Sequence, residues 1–279
     1  MRIERCLYGG GVRGFVLFIV LSATIIFSGA ASAYEPVSPF DDVFGVPSKE
    51  TFIDSASDFP GSEGYTGKGF AVLGWKTPFG IDELATTSLT GGINFGKAGV
   101  FASVNSAGFD LYGEEQEKIG LSYAPFGFIS FGMRLTRNAM RIKGFGDADA
   151  LGADIGIVAK PVEGLYIGAS MDDITGAELG ESKEPVDSAK RFSVSWETPG
   201  GFTLIAKSVK NERFKTSFSG GFMTEIYKVL TLGAGGGTEP DRIEFICGAA
   251  MSKLKFIYRG SNCRELGMSH GFTMNWALK

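Results

Sequence analysis

A single histidine in 279 residues leaves little room for chemistry built on imidazole. Any Ser–His or Asp–His hydrolase would have to run through His270, and no partner is evident for it. The chain is therefore not expected to be an enzyme. Cysteine is nearly as scarce. Cys6 lies ahead of the first apolar run, and the two that remain, Cys247 and Cys263, do not make a disulfide framework. There is no basic excess, since the formal net charge is -4, so nucleic acid is not an expected partner. After residue 33 no stretch approaches the ~18 consecutive apolar residues of a membrane-spanning helix. Any span of a membrane must then be built from strands. Cofactor signatures are missing as well. The glycines of 233–237 are not followed by Lys-Ser/Thr or by a helical pattern, so they lack the context of a phosphate loop. Asp147, Asp149 and Asp154 do not have the spacing of a calcium loop, and neither a cofactor nor a metal is expected.

What is plentiful is glycine, 41 residues, and phenylalanine, 24. Glycine at that level without a collagen period points to closely packed strands or a small-residue lumen. The N-terminus carries Arg2, Arg5 and Arg13, then an apolar run over 15–30, then Ala31-Ser32-Ala33. That order reads as a secretory signal peptide over 1–33, cleaved after Ala33. Residues 34–68 differ from everything downstream. Pro36, Pro39, Pro47 and Pro60 interrupt them, acidic residues are frequent, and no periodicity is sustained. They read as irregular, with a short helical turn near 49–52. Two arrangements stay open for this segment: a disordered periplasmic tail, or a plug folded into a barrel mouth.

From residue 69 to 279 the chain alternates. Ile129, Phe131, Met133 and Leu135 oppose Ser130, Gly132, Arg134 and Thr136, and Phe192, Val194 and Trp196 oppose Ser193, Ser195 and Glu197. A period of two is that of strands, and no run shows a period near 3.6. About fourteen strands are expected, near 70–77, 87–96, 98–108, 117–124, 128–141, 149–160 and 164–174. The second seven fall near 188–197, 201–211, 213–224, 229–238, 241–251, 253–260 and 265–277. Every second connection is very short, as at Gly96-Lys97, Pro199-Gly200 and Ser252-Lys253. The others are expected to be longer: 78–86, 110–117, 143–149 and 176–187. Aromatics such as Phe95, Tyr123, Phe126, Phe128, Trp196, Phe202, Phe222 and Tyr227 gather around the short turns. Short turns on one side, long loops on the other and a girdle of aromatics predict an all-β, antiparallel transmembrane barrel in the bacterial outer membrane. A periplasmic sandwich or propeller would alternate too, but would need no girdle.

Two further features follow from that barrel. The last strand fits polar-x-Gly-x-x-apolar-x-aromatic, with Ser269, Gly271, Met274 and Trp276 at the defining places. It resembles the C-terminal insertion signal of outer-membrane proteins, which implies the barrel-assembly machinery and membrane lipid as partners. An edge cannot survive unpaired in hydrocarbon, so this strand should pair with the first. The second feature is charge on the small-residue face: Arg134, Asp154, Lys207, Lys215, Glu244 and Arg259 are read as lining the lumen, either holding register or selecting solutes. A hairpin centred near Gly144 would set Arg134 opposite Asp154, as an expected ion pair.

The run over 143–176, KGFGDADALGADIGIVAKPVEGLYIGASMDDITG, resembles the central hairpins of FadL-like barrels. It is more particularly similar to their PorV-like branch, associated with type IX secretion. The closing block over 258–272, with Glu265, Leu266, Gly267 and His270, is similar to the ending of that branch. The resemblance implies a barrel of about fourteen strands with an N-terminal segment inside it. It also implies passage of small or hydrophobic molecules, or, alternatively, a non-transporting barrel that docks a secretion machine or cargo protein. The Asn-Pro-Ala type motif of the family's N-terminal hatch is absent from 34–68.

Overall fold

Alternation of large apolar with small polar residues lets a strand serve two environments at once, and the computed structural model builds its wall from that pattern. It describes residues 43–48, 56, 58–181, 183–212 and 214–278. The expected leader, the helical turn near 49–52 and Ser182 lie outside the described residues. The strands are β1 (Gly69–Thr77), β2 (Thr86–Phe95), β3 (Ala98–Phe109), β4 (Tyr112–Phe126), β5 (Ile129–Ile142), β6 (Gly146–Val162) and β7 (Leu165–Met171). Two short ones follow, β8 (Glu178–Leu179) and β9 (Glu184–Pro185), then β10 (Ala189–Glu197), β11 (Phe202–Asn211) and β12 (Ser217–Ile226). The series ends with β13 (Leu230–Gly237), β14 (Arg242–Met251), β15 (Leu254–Cys263) and β16 (Gly267–Leu278). Fourteen of them, all but the β8–β9 ribbon, form one closed antiparallel barrel. The closing pair is β16 against β1, running from Gly69 opposite Leu278 to Thr77 opposite His270.

The wall is inside-out relative to a water-soluble sheet. Ser88, Thr90, Ser103, Asn105, Ser130, Thr136, Ser193, Thr203, Thr231 and Thr273 are buried, while Leu89, Ile93, Ile119, Leu121, Met133, Leu135 and Phe272 are exposed on the outside. Leaving one Leu or Phe in water forfeits about 1.5–3 kcal/mol of burial. A whole face of them is stable only against hydrocarbon, which is the transmembrane arrangement. Phe95, Tyr123, Phe126, Phe128, Trp196, Phe202 and Tyr227 are exposed around the short-turn end, and Phe126 and Phe128 stack with ring centres 5.6 Å apart.

One part of the loop pattern differs from the sequence reading. The connections expected over 110–117 and 143–149 are tight turns, because β4, β5 and β6 run on for 15, 14 and 17 residues. The extra residues are polar yet still alternate, and outward cross-strand charges tie them together: Arg137 to Glu117 at 3.3 Å and Arg141 to Asp147 at 3.2 Å. Charge density disguised strand as loop. The long connection between β7 and β10 does form, and it folds back on the upper half of β6. Asp173, Ala177, Leu179 and Val186 are buried there, with Ala150 beneath them.

Candidate functional site: the plugged lumen and its vestibule

Of the two arrangements open for the N-terminal segment, the described residues take the plug. Val43, Phe44, Val46, Ala56 and Phe59 are fully or almost fully buried although no strand contains them. Val43, Phe44 and Val46 pack on Ile205, Met223, Ile246 and Ile257 of the wall. Phe59 packs on Val158 and Tyr166. A short 3-10 turn, Ser62–Tyr65, then leads into β1. Burial pushes the Tyr65 hydroxyl up to about 12, so it stays protonated and donates to the Val158 carbonyl at 3.4 Å.

Glycine makes the docking surface. A Cβ on Gly156 would lie 2.5 Å from the Pro60 carbonyl oxygen, and one on Gly132 would overlap the Pro60–Gly61 backbone. Gly168 faces Phe59 and Pro47, Gly233 faces Phe44, and Gly235 faces Val43. The lumen's small face is a mould for one particular chain segment.

Polar latches hold the segment across the lumen. Arg134 Nη2 bonds Glu63 Oε1 at 2.5 Å and also donates to the Ala56 carbonyl, with its guanidinium 4.2 Å from the Phe101 ring centre. Asn94 Nδ2 donates to the carbonyls of Glu63 and Gly67, each at 2.6 Å. Ser195 donates to the Pro47 carbonyl at 2.6 Å and Ser170 to the Asp58 carbonyl at 3.0 Å. Lys207 lies 3.7 Å from Asp58 Oδ2, and the Val43 N–H donates to Glu244 Oε2 at 2.7 Å. Exposure below 5% at Arg134, Glu63, Lys207, Asp58 and Glu244 means these charges interact with little solvent screening.

The charges expected in the lumen therefore sort into groups. Arg134, Lys207 and Glu244 hold the plug. Asp154 sits opposite Arg134 in register, as the hairpin centre required, but the two do not make the expected pair. Arg134 turns to the plug, while Asp154 accepts from Thr136 Oγ1 at 2.5 Å and from the Asp173 N–H at 3.0 Å, anchoring the β7–β10 connection. Arg259 is buried on the lumen side of β15. Lys215 is a correction: it precedes β12, is exposed, and bridges Glu239 at 3.2 Å outside the lumen. Of the insertion-signal residues, Ser269 and Gly271 face inward and Trp276 is exposed outward, while Met274 is half-buried. His270 stands outside the lumen as its parity demands, 2.7 Å from the Tyr258 hydroxyl.

Above the plug, at the end away from the short turns, the lumen opens into a vestibule of about 460 Å³. Lys76, Glu114, Gln116, Lys118, Asp172, Asp187 and Arg191 contribute to its wall, and Phe79 and Leu84 of the β1–β2 connection form an apolar side. A gap of about 30 Å³, lined by Lys76, Glu244, Arg259 and Phe44, lies between plug and wall. A separate concavity of about 820 Å³ lies over β1–β5, where Ala71, Gly91 and Ala102 sit among Leu89, Ile93 and Leu121. Sequence reasoning missed the vestibule and the plug-bearing glycines, since each is assembled from strands and connections distant in the chain.

Solved structures share this architecture. The toluene transporter TodX of Pseudomonas putida superposes with a TM-score of 0.62 at 11% identity, over 88% of this chain and 98% of that one. A Pseudomonas aeruginosa FadL homologue gives 0.54 at 10% identity, over 81% and 94% respectively. The fold is thus that of FadL-like outer-membrane barrels. No family model matches the chain, and no curated protein matches it in sequence.

Proposed function

We propose that this chain resides in the bacterial outer membrane and carries small molecules across it, with its own N-terminal segment as the gate. The carrying observation is that the wall closes on itself without any strand from the plug. Every barrel strand is paired on both sides without it, so the segment can shift without breaking a ladder. What holds it is apolar packing on the wall and a handful of side-chain latches, among them the buried Arg134–Glu63 and Lys207–Asp58 pairs. A sealed structural plug would have little use for a solute-sized vestibule whose Lys76 also lines the gap beside the plug residue Phe44.

Register shifts occur in β4–β5 at Tyr123/Phe126 and in β6–β7 at Ala159/Val162, both beside short turns, and the ladders run unbroken above them, which favours a path along the barrel axis. That TodX, which shares the fold, is described as a toluene transporter supports transport as the class of activity. The test is solute entry into proteoliposomes carrying the full mature chain. Entry that rises when Arg134 is replaced by Met supports a gated path. No entry in either protein, with co-purification of a second protein through the loops, would favour the docking alternative instead.

A further inference from the structure

We infer that the vestibule is a binding site for a small hydroxylated organic anion, a sugar-acid-like carboxylate, rather than for a hydrocarbon; this rests on the transport reading and names its substrate class. The vestibule wall holds three acidic and three basic side chains, and all but one are engaged. Asp172 pairs with Arg191. Tyr112 donates to one oxygen of Glu114, and the other oxygen is shut off from solvent without a hydrogen-bond partner among the described residues. Asp187 accepts from the Glu212 N–H at 3.3 Å, and Lys118 is not free either.

Lys76 is the exception. It points inward from β1, is half-buried, and makes no ion pair among the described residues. It lines both the vestibule and the narrow gap beside the plug, so it stands where an entering solute meets the gate. A half-buried ammonium at the mouth of a site favours an anion, and each acidic neighbour already holds at least one hydrogen bond or ion pair.

The rest of the wall selects for hydroxyls. Gln116 is fixed in a ladder of amides, accepting from Asn105 at 3.2 Å and donating to Asn138 at 2.9 Å. That leaves it one N–H and one lone pair to offer a polyol. A purely apolar solute would cover these groups and return no hydrogen bonds, which disfavours it.

Binding can be read apart from flux, by ligand-observed NMR titration of the full mature chain refolded in detergent. The probes are D-gluconate, neutral D-glucose and hexanoate. Gluconate should bind about tenfold tighter than either of the others. Lys76→Gln should lose about that factor for gluconate, and Lys76→Arg should keep it. Glucose binding as tightly as gluconate, hexanoate binding as tightly or more tightly, an unchanged Lys76→Gln variant, or no binding of any probe would each overturn the inference. A barrel that binds gluconate yet admits no solute would refute the transport reading alone, and a conducting barrel that binds none of the probes would refute only this one.

Discussion

Arg134 shows what a single position can and cannot disclose. Its side of the strand followed from the alternation of 129–136, and its register partner from the hairpin centre, because both are local. Its ionic partner did not, since Glu63 lies 71 residues upstream in a segment without periodicity. Gly132 and Gly156 have the same history: their smallness was visible, while the Pro60–Gly61 backbone they accommodate was not. Breaking a buried pair by removing one partner costs about 3–5 kcal/mol, because it strands the other charge. Arg134→Met should therefore loosen the plug while the wall survives. The measurement is proteolysis of the N-terminal segment alongside heat-modifiable migration of the barrel, with the first increased and the second unchanged. Adding Glu63→Gln should restore part of the protection. Gly156→Val should expel the plug as well, by overlap with Pro60, and faster cleavage of the segment checks it. Lys215→Gln should do neither, since an exposed pair contributes about 0–1 kcal/mol.

Strands were the most legible elements, because a period of two reports directly on two environments. Loops were less so. The tall hairpins β3–β4 and β5–β6 carry outward charges such as Glu117, Arg137, Arg141 and Asp147, and polarity on the outer face of a strand above the lipid reads as loop. The β7–β10 connection was placed correctly as long, yet its contact with β6 depends on Asp173 meeting Asp154, which no local pattern announces. The elements also fix a topology that can be checked. Cysteine introduced at Asp149, whose side chain is 67% exposed near the top of β6, should react with an impermeant thiol reagent on intact cells. The background should lack Cys247 and Cys263, both free thiols. Cysteines at Pro199 or Lys253, in short turns, should label only after lysis. The reverse pattern would invert the barrel.

At the scale of the whole molecule, the barrel is a polar tube in an apolar sleeve, filled by a segment of the same chain. Strand number and closure came from composition and alternation. A plug was one of two readings open for residues 34–68, and the choice between them came only from three-dimensional contact, because a mould and its casting need not resemble each other in sequence. The central claim is that this segment gates a path for solutes. Single-channel recording tests it most directly, on the mature chain and on a chain lacking residues 34–66 in the same bilayer. The account predicts small or intermittent conductance for the mature chain and a large, steady conductance without the segment. Equal, negligible conductance in both, from barrels that migrate as folded, would contradict it.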